Sequence, residues 1–376
     1  MLTMKSKYSV FLFSFILLNS FFISCNCSKK EKEIITSTSY IVPENSKKPK
    51  NIILLIGDGM GLSEVSASQF YNKENTNFER FPVVGLSKTS ASSDLITDSA
   101  AGATAFSAGI KTYNGAIGVD KDSLSVETIV EQISKKNIAS GVVSTSSITH
   151  ATPASFYAHE KLRRMYPEIA EDLVASDIDF FAGGGLDFFN KRKDGKDLIE
   201  QLKAKGFEVT TDKLPASTSE KKQAILLAND AMPRMLDGRG DFLPNATKLA
   251  LESLSKNEEG FFLMVEGSQI DWGGHANDGD YLISELIDFD NTIGVALDFA
   301  KENGETLVIV TADHETGGFT LASDNDDYNK IKPVFSTGGH SATMVPVFAK
   351  GPSESDFGGI YENTAIYTKM YSLFLD

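Results

Sequence analysis

The residues best able to do chemistry fall in one serine motif and a few glycine-rich stretches. At Thr97–Ala105 the chain reads T-D-S-A-A-G-A-T-A, a serine beside an aspartate and ahead of a run of very small residues. Small side chains let a backbone turn tightly and let a ligand approach peptide N–H groups. The following residues can start a helix, which would put Ser99 at a helix N-terminus, where anions are favoured. Taken alone the motif has two readings: a nucleophilic serine, or an ordinary Asp98 cap on a buried helix. Gly57-Asp58-Gly59-Met60-Gly61 frames a carboxylate with glycine, which suits a metal, a phosphate or a plain turn. Glu266 and Asp271 share one ten-residue stretch with His275. The i, i+4 spacing of Asp271 and His275 would let one helical turn aim both at one ion, made irregular but not excluded by Gly273 and Gly274. Asp313 and His314 stand in A-D-H-E-T-G-G, and His340 in T-G-G-H-S.

The chain has only five histidines, and three of them, His275, His314 and His340, lie in these loops. One such histidine reads as structural; three together point to a metal centre. The donors are nitrogen and oxygen only, because the two cysteines, Cys25 and Cys27, precede the folded part. That set suits Zn²⁺ at the histidine-bearing positions and Mg²⁺ at an oxygen-only position.

Strand ends are the elements expected to hold these loops. Short apolar runs at 51–56, 139–144, 179–182, 261–265, 306–311 and 345–349 read as buried strands of a mainly parallel sheet. Helical patterns lie between them at 125–136, 196–205, 247–256 and 281–301. This is a βαβ rhythm, and ligands of such α/β sheets collect at the carboxyl ends of the strands, where the unusual residues fall.

Composition bounds the rest. The 376 residues, 41% hydrophobic and 23% charged, can bury a large core. A net charge of -15 argues against nucleic acid as a partner, since phosphates would have to be met by a local cationic site. At the N-terminus, Lys5 and Lys7 precede an apolar run from Tyr8 to Ile23 that ends in Ser24-Cys25. The pattern reads as a lipoprotein-type signal peptide over 1–25, with lipid on Cys25 as the membrane anchor. An ordinary cleaved signal and an uncleaved anchor are the alternatives, and all three export the domain. Residues 26–49 are Lys/Glu-rich without apolar periodicity and read as a flexible tether, leaving 50–376 as one domain.

Taken in order, G-D-G-M-G, T-D-S-A-A-G-A-T-A, K-T-Y-N-G, H-A-T-P-A, V-E-G-S-Q-I-D-W-G-G-H, T-A-D-H-E-T-G-G and the late G-G-H resemble the bacterial alkaline phosphatases, from Asn51 to the strand at 345–349. The resemblance implies a three-layer α/β sandwich around a mainly parallel sheet. It also implies hydrolysis of phosphate monoesters through a phosphoserine at Ser99; the N-terminal signal pattern places that activity in an exported bacterial lipoprotein, periplasmic or cell-surface. By the family pattern, Asp58, Asp313 and His314 bind the zinc that activates Ser99, and Asp271, His275 and His340 bind a second zinc. Asp58, Glu266 and Thr152 match a third site, usually magnesium, and Arg163 grips phosphate, with Arg164 next in register.

Asp98 would orient Arg163 or the serine loop, or cap the helix. His150 stands where some members carry aspartate and others histidine, a departure from the aspartate type that bears on which third metal binds. Trp272 could stack on substrate or simply pack, and His159 reads as structural. Only 25 residues separate His314 from His340, shorter than the insertion of many relatives. An open site and a monomer follow from that, with a homodimer as the alternative. Competing functions are a phosphodiesterase or sulfatase with the same metal architecture, and a non-catalytic phosphate-binding lipoprotein.

Overall fold

The first strand, β1 (Asn51–Gly57), shows why the sheet lies at the centre. Successive side chains of a strand point to opposite faces. Ile52, Leu54 and Ile56 enter one core and Ile53 and Leu55 another, every one fully buried. A strand that is apolar on both faces must be covered by helices on both faces, hence three layers.

The computed structural model describes residues 48–375. The signal peptide expected at 1–25, with Cys25, and all but the end of the tether lie outside them. Along the described chain β1 is followed by β2 (Val83–Lys88), β3 (Ala139–Ser147), β4 (Phe180–Gly184), β5 (Phe207–Thr210), β6 (Lys222–Ala228) and β7 (Phe261–Gly267). Then come β8 (Thr306–Thr311), β9 (Glu315–Thr316), β10 (Thr320–Asp324), β11 (Asp327–Val334), β12 (His340–Ser341), β13 (Val345–Lys350) and β14 (Gly359–Glu362). Ten of these form one sheet in the order β14-β2-β13-β8-β1-β7-β3-β4-β6-β5. Every neighbouring pair is parallel except the two made by β13.

The six strands read from the sequence are β1, β3, β4, β7, β8 and β13. The edge strands β5 and β14 are only partly covered and lack a continuous apolar run, which hid them from a reading based on burial. The segment 167–245, without an evident role in the sequence, supplies β4, β5 and β6 and so completes one flank of the sheet. The helix expected over 125–136 starts only at Ile129. Thr128 and Glu131 close a capping box there: Glu131 accepts from the Thr128 N–H at 2.7 Å, and Thr128 Oγ1 accepts from the Glu131 N–H at 3.3 Å. Among the described residues no helix is long and apolar enough to cross a membrane.

For the site, the decisive feature is the adjacency of β8, β1, β7 and β3 in the middle of the sheet. All four run the same way, so the loops leaving their carboxyl ends converge.

Candidate active site

Asp58 follows β1 directly, Glu266 lies near the end of β7, Asp313 follows β8, and His150 and Thr152 follow β3. Ser99 opens the helix Ser99–Ala108, all ten residues of which are buried. Its small residues are needed because the helix lies against the Asp313 loop: a Cβ on Gly102 would come within 2.9 Å of the Asp313 Cβ. Gly59 is fixed in the same way, with φ of +75° and room for a Cβ denied by Asp271 and Thr316. Asp271 and His275 share the helix Gln269–His275 despite its two glycines. His340 is returned to the site by β12, which pairs with β9 so that His340 stands opposite Thr316.

Two clusters result. Asp58, Asp313 and His314 are fully buried, each with a ligand atom within 4.8 Å of the others'. Asp271, His275 and His340 form a second group by the same measure. In both clusters the imidazoles are pre-oriented. Carbonyl oxygens only accept, so His275 donates from Nδ1 to Gly338 at 2.8 Å and His340 from Nδ1 to Thr97 at 2.8 Å. Thr316 donates to Asp271 Oδ1 at 2.5 Å and is left to accept from His314 Nδ1 at 3.2 Å. Each Nε2 lone pair is therefore turned inward, the tautomer a metal ligand needs.

The interior is short of positive charge. Neither oxygen of Asp58 has a hydrogen-bond partner, nor do Asp313 Oδ2, Glu266 Oε1 and Thr152 Oγ1. His275 and His340 face each other Nε2 to Nε2 at 3.1 Å, lone pair against lone pair. Burial, then the neighbouring Asp313, Asp271 and Glu266, pushes Asp58 well above the carboxylate range. Burial raises Asp313 and Glu266 as well, while burial and His340 push His314 well below its ordinary value. Orphaned acceptors and inward lone pairs of this kind fit bound cations, and the donor set of imidazole and carboxylate fits zinc. Around Glu266 the donors are all oxygen: Ser144 Oγ donates to it at 2.6 Å, and Thr152 is near enough to favour its charged form. An oxygen-rich pocket fits magnesium. His150 sits beside this pocket with Nδ1 buried and unpartnered, held neutral by burial and by Arg163, which push it down to about 3.

Ser99 Oγ lies 3.3 Å from His314 Nε2, beside the first cluster. Asp98 serves both functions considered for it. One oxygen accepts from the Ala101 N–H at 3.0 Å as the helix cap, and the other accepts from Arg163 at 2.9 Å. Arg163 is thereby turned inward, its second nitrogen 3.5 Å from His150 Nε2, whereas Arg164 is exposed. Trp272 packs against the His150 ring edge to face, with centroids 5.9 Å apart. His159 lies outside the cluster, between the Gly118 carbonyl and Glu131.

A sequence profile of the alkaline phosphatase family matches residues 49–334, most of the described chain. The chain belongs to the alkaline phosphatase family. This family comprises phosphoric monoester hydrolases, and the protein is an enzyme of that class. Alkaline phosphatase 3 of Bacillus subtilis strain 168 is 35% identical, the match covering 87% of this chain and 89% of that one. The alkaline phosphatase of Escherichia coli K12 is 33% identical over 87% of this chain and 86% of its own. The solved alkaline phosphatase of the Antarctic bacterium TAB5 superimposes with a TM-score of 0.85 at 55% identity, covering 87% of this chain and 98% of that one.

The structure thus gathers every residue singled out for this family: Ser99, Arg163, Asp58, Thr152, Glu266, Asp271, His275, Asp313, His314 and His340, with Asp98 and His150 against them. Thr316, which ties Asp271 to His314, and the Ser144 and Ser268 hydroxyls around Glu266 went unread. Their signal was there, in T-A-D-H-E-T-G-G and at the ends of β3 and β7, but hydroxyls are too common for type alone to single them out.

Proposed function

We propose that this alkaline phosphatase family member cleaves phosphate monoesters through a covalent phosphoserine at Ser99. The observation that carries the reading is the place of the Ser99 hydroxyl, buried, 3.3 Å from His314 Nε2 and one residue from the Asp98 that holds Arg163. Ser99 Oγ attacks phosphorus, its new O–P bond replacing the bond to the ester oxygen, which leaves with a proton as the alcohol. Water then attacks the same phosphorus, the Ser99 O–P bond breaks, inorganic phosphate departs and the serine regains its proton. Arg163 offers a planar, permanently charged fork to the phosphoryl oxygens, and Asp98 fixes its direction.

The assignment of groups follows the clusters. Asp58, Asp313 and His314, with Ser99, would hold one Zn²⁺; Asp271, His275 and His340 would hold a second; Asp58, Glu266 and Thr152 would hold Mg²⁺ beside His150. When bound, such ions supply the positive charge that favours a serine alkoxide and stabilises the entering and leaving oxygens. A variant of the TAB5 enzyme in which a histidine is exchanged for aspartate has magnesium bound in its M3 site.

Bacterial members of the family are generally exported. For this chain we assign 1–25 to a lipoprotein signal, Cys25 to the lipid anchor, 26–49 to a tether and 50–376 to the catalytic domain. Cys25→Ser should move the protein from the membrane to the soluble fraction with its activity unchanged.

The central test is Ser99→Ala. It should abolish labelling of the protein by radioactive phosphate ester at acid quench and reduce turnover of an aryl phosphate to background, with the fold and metal content retained. Turnover near the wild-type rate would sink the mechanism. Running bis-aryl phosphate and aryl sulfate in parallel decides whether the monoester is the preferred substrate class.

A further inference from the structure

The motif Lys111-Thr112-Tyr113-Asn114-Gly115 contains none of the groups assigned above, yet it touches both sides of the catalytic pair. It follows the nucleophile helix, whose C-cap Gly109 turns the chain back with φ of 71°. Asn114 Oδ1 then accepts from the Asp98 N–H at 2.9 Å, and Asn114 Nδ2 donates to the Ile96 carbonyl at 3.0 Å. One amide side chain thus spans the loop Ile96–Asp98 immediately before Ser99. The next residue does the same for the arginine, because the Gly115 carbonyl accepts from the Arg163 N–H at 2.7 Å. Tyr113 adds a third link by donating to the Lys161 carbonyl at 3.0 Å, two residues before Arg163. The bracket is itself anchored to the nucleophile helix, since Thr104 Oγ1 donates to the Ala116 carbonyl at 3.2 Å and accepts from the Gly118 N–H at 3.1 Å.

The nucleophile and the phosphate-gripping arginine lie on different loops, 64 positions apart in the chain. Together with the Asp98–Arg163 ion pair and the backbone bridge between Ile117 and Glu160, these links tie the two loops to each other. Phosphoryl transfer depends on that spacing, since a misplacement of about 1 Å costs about a hundredfold in rate. We infer that Asn114 is a positioning residue that fixes the Ser99 loop relative to Arg163. The inference rests on the assignment of Ser99 as nucleophile and Arg163 as phosphate ligand. Neither side-chain hydrogen bond of Asn114 goes to a proposed metal ligand. It acts through the peptide units of Ile96 and Asp98, and Gly115 carries the register on to Arg163.

The test is steady-state kinetics of the full chain supplied with zinc and magnesium, comparing wild type, Asn114→Leu, Asn114→Asp and Ser99→Ala. Metal content and thermal midpoint are measured on the same preparations. The deciding readout is the competitive inhibition constant of inorganic phosphate, which does not depend on the fraction of molecules folded. Asn114→Leu keeps the branching at Cγ and removes both bonds; it should raise that constant and lower kcat/KM by about tenfold or more, with metal content unchanged. Asn114→Asp keeps the acceptor for Asp98 and loses the donor to Ile96, so it should fall between. Inhibition constants and kcat/KM within about twofold of wild type for both variants would overturn the inference. Should Asn114→Leu not fold, Asn114→Asp decides by the same criterion. Wild-type turnover by Ser99→Ala would instead remove the nucleophile assignment, and this inference with it.

Discussion

His340 donates from Nδ1 to the carbonyl oxygen of Thr97 at 2.8 Å, so a ring in the Asp271–His275 cluster is bonded to the peptide two residues before Ser99. The same ring is stacked on His314 with centroids 3.5 Å apart. One side chain therefore ties the second cluster to the first and to the Ser99 loop.

Removing it should do more than delete one proposed metal ligand. His340→Ala is expected to weaken zinc binding by at least about a hundredfold, the upper end of what loss of even an outer partner costs. It should also lower kcat when zinc is in excess, because the Thr97 carbonyl is freed. Full recovery of kcat at saturating zinc would show that the Thr97 bond has no catalytic consequence.

Asp98 should separate into a capping and an orienting role. Asp98→Ala loses the acceptor for the Ala101 N–H, worth about 1 kcal/mol for a helix cap, together with the partner of Arg163. Asp98→Asn keeps the cap oxygen and loses the charge. The thermal midpoint should fall for alanine and largely recover for asparagine, while inhibition by inorganic phosphate is weakened in both. Equal loss of stability in the two variants would refute the capping role.

Chelation should turn the acid cluster into a proton trap. Burial, then Asp313, raises Asp58 well above its ordinary 3.8, so the folded metal-free protein holds a proton that the unfolded chain has released. For an acid raised in the folded state, stability is lost as pH rises from the unfolded value through the folded one. Chelated protein should therefore lose thermal stability as pH increases through that window. Adding zinc should expel about one proton or more in weakly acidic solution, seen as acid release in an unbuffered titration. Zinc uptake with no proton released would contradict the raised carboxyls.

His159 and Glu131 should give a stability term away from the site. The hydrogen bond to Glu131 raises His159 above its ordinary 6.5. Its contribution is full below that value and is lost as pH rises through the folded value. Burial pushes Glu131 up, but the bonds from His159 and Thr128 outweigh it and the net shift is down from 4.5, so its contribution disappears in acid. His159→Gln should lower the thermal midpoint between these limits and leave it nearly unchanged in alkaline solution. A uniform loss at every pH would point to packing instead.

Much of the site was legible because its donors are rare types in short loops: three of five histidines, each beside glycine or a carboxylate, at the ends of continuous apolar runs. β1 and β8 were readable for the same reason, since a strand buried on both faces has no polar alternation to confuse it with a surface element. The exposed edge strands β5 and β14 carried no such signal. Neither did Asn114, whose amide matters only because the chain returns at Gly109 to lie beside Ile96 and Asp98.

The sequence by itself determined the fold class, the family and the candidate site residues, because these depend on residue type and on periodicity along the chain. Which acceptor holds each Nδ1, which oxygens are left without partners, and how the Ser99 loop is joined to Arg163 were decided only by the tertiary structure. Several of those relations span more than two hundred residues, as from Thr97 to His340 and from Asp58 to Asp313. Their geometry is set by the order and direction of β8, β1, β7 and β3, which local preference along the chain does not encode.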